Sequence, residues 1–143
     1  MERLRLPVFV YGTLRPGREN HDLYLRGRTV EERPARLRGA VMYEGPGWPY
    51  AVAGPGGEIL GELITPAAEH YDALLAALDV LEDYAPGDPA NLYERVAREV
   101  ILLDDGEGGG RGVDAWVYLA AEPVARQLRA SGTVVPGGDW VTC

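Results

Sequence analysis

Hydrophobic positions along the chain follow two rhythms, a period of two and a period near 3.6, separated by clusters of glycine and proline. Residues 4–11 are mostly apolar around Val8, Phe9 and Val10, which marks a short buried strand. The run breaks at residues 12–17. Asn20 is placed to cap a short helix over residues 21–25, with Gly27 closing it. Residues 35–43 alternate small or apolar with polar side chains, as a strand with one wet face does. Gly45, Pro46 and Gly47 mark a turn, residues 48–53 a short strand, and Pro55, Gly56 and Gly57 a second turn before a strand at 58–64. The helical period is clearest from residue 66. Thr65 suits the N-cap and Pro66 the first helical position, and the helix should run to Glu82 or Asp83 before Pro86 and Gly87 stop it. A long strand at 93–103, a Gly-rich connection at 104–112 and a partner strand at 113–119 follow. A second helix is expected at 123–130, and the tail at 134–141 is short and broken by glycine.

About six strands and two or three helices result. Short turns between several strands imply antiparallel pairing. The order of strands, helix, strands argues for an α+β fold rather than a doubly wound one, with a curved sheet or small barrel and helices packed outside. The 143 residues suit one domain, 1–143, with its own core.

Charge narrows the partners. Fourteen basic residues against 22 acidic ones give a formal charge of −8, and every basic residue is an arginine. So acidic a chain is a poor match for nucleic acid or an anionic membrane, and neither is expected as a partner. Arg33, Arg36 and Arg38 cluster locally, but only Arg36 and Arg38 share a strand face, which reads as solvated. The absence of lysine removes Schiff-base chemistry and a lysine base. The single cysteine, Cys143, allows no internal disulfide and no Cys-rich metal site, and a chain terminus is a poor platform for a nucleophile. Residues 1–6 lack the apolar stretch of a signal peptide, and no apolar run approaches ~20 residues. A cytoplasmic location is therefore expected.

Candidate chemistry centres on Glu82. At 100° per residue, Tyr71, Leu74, Leu75, Leu78 and Leu81 share one face of the main helix, and Glu82 continues that stripe, roughly 40–50° from its centre. The other acids of the segment, Glu69, Asp72, Asp79 and Asp83, project more than about 100° away. One carboxyl alone then points toward the core, where burial raises its pKa and suits it to acid/base work near neutrality. Two alternatives stay open: a frayed helix end that turns Glu82 to solvent, and an ion pair with an arginine such as Arg95. The second feature is the strand-to-glycine turn at Tyr11, Gly12, Thr13 and Leu14. A glycine with φ > 0 there would let successive amides converge on an anion, although a plain turn has the same pattern. No nucleophile elbow, P-loop, dinucleotide fingerprint or HExxH motif is present. His21 and His70, the only histidines, read as structural or exposed. An enzyme without an activated nucleophile needs a substrate that carries its own.

These residues resemble a known family. The run Val10, Tyr11, Gly12, Thr13, Leu14 and Arg15, followed by Gly17, Asn20 and His21, looks like the N-terminal signature of γ-glutamyl cyclotransferase-like proteins, including the bacterial γ-glutamylamine cyclotransferases and AIG2-like proteins. Residues 78–84, with Leu78, Asp79, Glu82 and Tyr84, resemble its LD-x-x-E-G-Y motif. Tyr93, Glu94 and Arg95 resemble the strand after it, and Ala115 to Tyr118 and Gly138 to Trp140 the C-terminal pattern. Asp83 departs from the family's usual glycine, which bears on substrate identity.

The resemblance implies a small mixed, largely antiparallel β-barrel with flanking helices. It implies a cofactor-independent, metal-free reaction on a small γ-glutamyl substrate: the substrate's α-amine attacks its own γ-carbonyl, giving 5-oxoproline and a free amine. Glu82 would be the acid/base, the backbone of Tyr11, Gly12, Thr13 and Leu14 would hold the glutamyl group, and Tyr118 would line the pocket. The alternatives are a domain of the same fold that binds a small carboxylate without turnover, and a plain interaction domain.

Overall fold

The computed structural model describes residues 5–15, 18, 20–103 and 110–140. Among them, five strands close into a barrel: β1 (Val8–Val10), β2 (Thr29–Glu44), β3 (Pro49–Pro66), β4 (Tyr93–Leu102) and β5 (Gly112–Ala120). The order around the barrel is β1, β3, β2, β4, β5. Every pairing is antiparallel except the closing one, where Val8 of β1 meets Trp116 of β5 in parallel. Two helices flank it, α1 (Tyr71–Leu81) and α2 (Glu122–Ser131). This is the expected α+β barrel.

Period-two alternation sorts side chains into two cores. Phe9 and Tyr11 point into the barrel with Leu37, Met42, Ile59 and Val117. Val8 and Val10, one residue out of phase, point outward and pack with Leu74 and Leu78 of α1 and with Tyr118. β5 alternates in the same way: Ala115, Val117 and Leu119 face inward, Trp116 and Tyr118 outward. The end of β1 therefore lies where barrel and helix layers meet.

Several boundaries differ from the sequence reading. The segments expected at 48–53 and 58–64 are one strand, β3. Its partner β2 keeps pairing on both sides of the interruption, from Arg38 with Glu58 to Ala40 with Ala53, so Pro55, Gly56 and Gly57 form a bulge and not a hairpin. Six expected strands thus become five. Thr65 and Pro66 end β3, opposite Glu31 and Thr29, and do not start the main helix. Proline has no amide to carry the ladder further, and a single 3-10 turn, Ala68–His70, leads into α1. The helix expected at 21–25 is one turn of π-helix. Asn20 has helical backbone angles there and caps nothing; its side chain goes elsewhere. In the tail, a 3-10 turn at Pro136–Gly138 and bridges from Val134 to Tyr43 and Asp139 to Leu60 tie the chain back to the barrel. Cys143, Gly17 and most of the 104–112 connection lie outside the described residues.

Candidate active site

The C-terminal end of α1 and the end of β1 line one cavity. The Asp83 amide donates to the Val80 carbonyl (3.1 Å) and the Tyr84 amide to the Asp79 carbonyl (2.8 Å). These two bonds close the helix as a Schellman turn, which requires a left-handed residue after the C-cap. That residue is Asp83, at φ 57°, the only non-glycine among the described residues with positive φ. A glycine at this position would take that conformation without the cost an L side chain carries. Glu82 is the C-cap, with its amide still bonded to the Leu78 carbonyl (2.9 Å). The helix end is tied rather than frayed.

Glu82 faces a cavity of about 490 Å³ that Tyr11, Gly12, Thr13, Leu14 and Tyr118 also line. Burial pushes its carboxyl up from an ordinary 4.5 to about 7, and no cation offsets the desolvation. Arg95, the alternative ion-pair partner, is bound elsewhere: its Nε and Nη2 hold Oδ1 and Oδ2 of Asp79 at 2.8 and 3.2 Å. Asp79 is thus not the outward-facing acid that helical phase suggests. The last turn of α1 is flanked by β4 and β5 as well as by the core, so a second face of the helix is covered, and Arg95 and Tyr118 come to it from those strands.

Opposite Glu82, residues 12–15 form a tight turn, with the Arg15 amide donating to the Gly12 carbonyl (3.1 Å). The reason for glycine at 12 is not the expected one. Gly12 has no positive φ; a Cβ there would instead meet Cδ and Cγ of Pro49 at 2.8 and 2.9 Å. Glycine permits close approach of the turn to the start of β3. The amides of Gly12, Thr13 and Leu14 donate to no carbonyl among the described residues. They are free donors beside a cavity with no basic residue in its described lining.

Two side chains brace the turn. Nδ2 of Asn20 donates to Oγ1 of Thr13 at 2.8 Å. Arg15 binds both carboxylate oxygens of Glu62, at 2.8 and 3.1 Å, and reaches Asp139 (2.5 Å) and the Trp140 carbonyl (3.2 Å). Asn20, Trp48, Val80, Leu92 and Tyr93 are among the other residues that line the cavity, and sequence reasoning named none of these five as site residues. Tyr93 carried a signal, as the first residue of the strand motif; Trp48 carried only its place in a Gly- and Pro-rich turn. Neither histidine lines the cavity: His21 is buried against Glu32 (2.8 Å), and His70 is exposed. No cluster of three or more metal-ligating side chains occurs among the described residues. Arg36 pairs with Glu58 at 3.0 Å, and Arg38 is solvated. No described helix is long and apolar enough to cross a membrane.

The fold of this chain is similar to that of a mouse AIG2-like protein. That structure superposes with a TM-score of 0.57 at 26% identity, over 81% of this chain and 77% of the other. Residues 8–142 match the family model for gamma-glutamyl cyclotransferase, AIG2-like. The chain belongs to that family. It is 34% identical over 122 residues to the gamma-L-glutamyl-butirosin B gamma-glutamyl cyclotransferase of Niallia circulans, covering 82% of this chain and 69% of the relative. It is 32% identical over 127 residues to the gamma-glutamylaminecyclotransferase of Rattus norvegicus, covering 80% and 77%. Membership and these relatives support a γ-glutamyl cyclotransferase activity.

Proposed function

We propose that the chain converts a γ-glutamyl amine to 5-oxoproline and the free amine, with Glu82 moving the protons. The observation that carries this reading is a half-buried carboxyl, pushed up to about 7, sharing a cavity with three backbone amides that bond no carbonyl among the described residues. The amides of Gly12, Thr13 and Leu14 can hold the substrate's α-carboxylate by hydrogen bonding alone. Its α-ammonium then lies toward Glu82. The carboxylate takes one proton from the ammonium, and the freed amine attacks the γ-carbonyl carbon in the same molecule. Intramolecular attack supplies the high effective molarity that makes an enzyme nucleophile unnecessary. As the amide C–N bond breaks, Glu82 gives that proton to the departing nitrogen, then takes the second proton from the attacking nitrogen and passes it on, so the ring keeps one N–H and the amine leaves as its ammonium. A carboxyl near 7 does both steps at neutral pH because it is half ionised there. Trp48, Val80 and Leu92 at the rim would meet the leaving amine.

The test is a γ-glutamyl panel, including γ-glutamyl amines and γ-glutamyl amino acids, scored by 5-oxoproline release. Glu82→Gln should lower kcat by about 10²–10⁴ while substrate binding survives. A folded wild type that binds panel members and releases no product would favour the non-catalytic binding domain. Near-normal turnover by Glu82→Gln would remove the glutamate from the mechanism.

A further inference from the structure

Three tyrosines stand around Glu82, and each gives its one hydroxyl proton to the protein. Tyr11 donates to the Tyr118 carbonyl (2.5 Å), Tyr93 to the Pro49 carbonyl (2.9 Å) and Tyr118 to Oδ1 of Asp79 (2.7 Å). All three line the cavity with Glu82. Burial raises the pKa of each hydroxyl, and the charge of Glu82 raises it further, so the four groups lie within electrostatic reach of one another. Yet none of the hydroxyls donates to the carboxylate. A phenol whose proton is committed presents only lone pairs. Lone pairs do nothing to stabilise a buried carboxylate, whereas one donated hydrogen bond would favour its charged form.

Two of the three acceptors are main-chain carbonyls, fixed by the fold. The third is a side chain, and it is held firmly. Arg95 grips both oxygens of Asp79, while its guanidinium lies over Trp116, 4.5 Å from the ring centroid, and over Tyr84 at 5.6 Å. The Asp79 and Arg95 side chains are 18% and 16% exposed.

We propose that Asp79, held by Arg95, is a positioning residue that draws the Tyr118 hydroxyl proton out of the cavity, so that Glu82 faces hydroxyl oxygens and no hydroxyl donor. The inference rests on the reading of Glu82 as the base and deepens it. A carboxylate left without a donor stays a competent proton acceptor, and the surrounding oxygens can accept from the substrate's ammonium instead. The charged and titratable groups around Glu82 are Tyr11 beyond β1, Tyr50 of β3 stacked on Tyr93 (5.1 Å), Tyr93 and Arg95 of β4, Tyr118 of β5, and Asp79 and Asp83 at the end of α1. Arg95 is the one cation in this set, so Asp79 must not be removed alone: an unpaired guanidinium would pull on Glu82 by charge.

The experiment is a carboxyl NMR titration of Glu82 in the full-length protein labelled with ¹³C-glutamate, the resonance being assigned by its loss in Glu82→Gln. Asp79→Leu combined with Arg95→Met removes both charges and frees the Tyr118 proton. The Glu82 titration should fall from about 7 by about one pH unit or more. The acid limb of kcat/KM should move with it. Adding Tyr118→Phe should bring the titration back to near its starting point. A titration that does not move in the double variant, or a shift that survives the added phenylalanine, overturns the proposal. Tyr118→Phe alone keeps it falsifiable if the double variant does not fold. The Glu82 titration should stay put in that variant, and a rise would mean the hydroxyl already donates to the carboxylate. Because the free protein is titrated, failure to release 5-oxoproline would count against the proposed function and not against this inference.

Discussion

Replacing Glu82 with glutamine should make the protein's stability less sensitive to pH, by an amount the structure fixes. In the unfolded chain the carboxyl ionises near 4.5, and in the folded protein it holds its proton to about 7. Below the lower value both states are protonated and stability does not depend on this group. Between the two, the unfolded chain releases a proton that the folded one keeps, so stability falls as pH rises. Above the higher value the loss is complete and constant. Its size is about 3 kcal/mol, from 1.36 kcal/mol per pH unit. Glutamine cannot ionise, so this term disappears. A buried amide lacking partners adds a penalty of its own, of order 1–3 kcal/mol, but one that is the same at every pH. The diagnostic is therefore the change in the difference between the two proteins. Urea or thermal unfolding at about pH 4 and about pH 8.5 should show the variant gaining roughly 3 kcal/mol on wild type between them, or about 6–12 °C in Tm for a chain of this size. Stability curves that run parallel across that range would mean that Glu82 is solvated in the folded state, and the acid/base assignment would lose its physical basis.

Gly12→Val should push the turn off Pro49, whose Cδ lies 2.8 Å from where the Cβ would be. A loss of about 1–3 kcal/mol in stability and a KM rise of at least tenfold are expected; unchanged KM would detach the turn from substrate binding. Asp83→Gly should relieve the left-handed backbone at φ 57° and raise stability by about 0.5–1 kcal/mol, read as a Tm increase of a few degrees. A lower Tm would show that the aspartate side chain contributes something the backbone argument omits. Arg15→Ala should cost about 2–3 kcal/mol, because Glu62 would lose both its hydrogen bonds in a half-buried setting. Its effect on turnover should appear mainly in KM, since Arg15 braces the turn and does not line the cavity.

The barrel was legible in the sequence because its strands stand out as apolar or alternating runs between clusters of glycine and proline, and Glu82 stood out because it continues an apolar stripe. What escaped was whatever depends on two segments meeting. Pro55, Gly56 and Gly57 carry turn composition, and only the resumed pairing of β2 with β3 on both sides makes them a bulge. Helical phase sent Asp79 to solvent because it treats a helix as resting on one neighbour. Near its end α1 has two, and Arg95 and Tyr118 come from the second. Gly12 was singled out for the wrong property: its φ is ordinary, and the constraint is the ring of a proline 37 positions along the chain, whose approach no local pattern records. Asn20 looks like a helix cap by residue type, and its bond to Thr13 was invisible for the same reason.

The parallel seam between β1 and β5 has a consequence for how the molecule is made. The Tyr11 hydroxyl and its Tyr118 acceptor are 107 positions apart, and Arg15 and Asp139 are 124 apart. On a ribosome adding about 5–20 residues per second, the first strand waits roughly 5–20 s for its second neighbour. Through that interval Val8, Phe9 and Val10 have one edge without a partner, in a segment with the sequence of a buried strand. Folding rate should accordingly be limited by this late, long-range closure rather than by the β2–β3 hairpin, which is local. Chaperone dependence and aggregation during rapid expression should track the availability of β5. Until then the cavity lacks the wall that Tyr118 of β5 supplies.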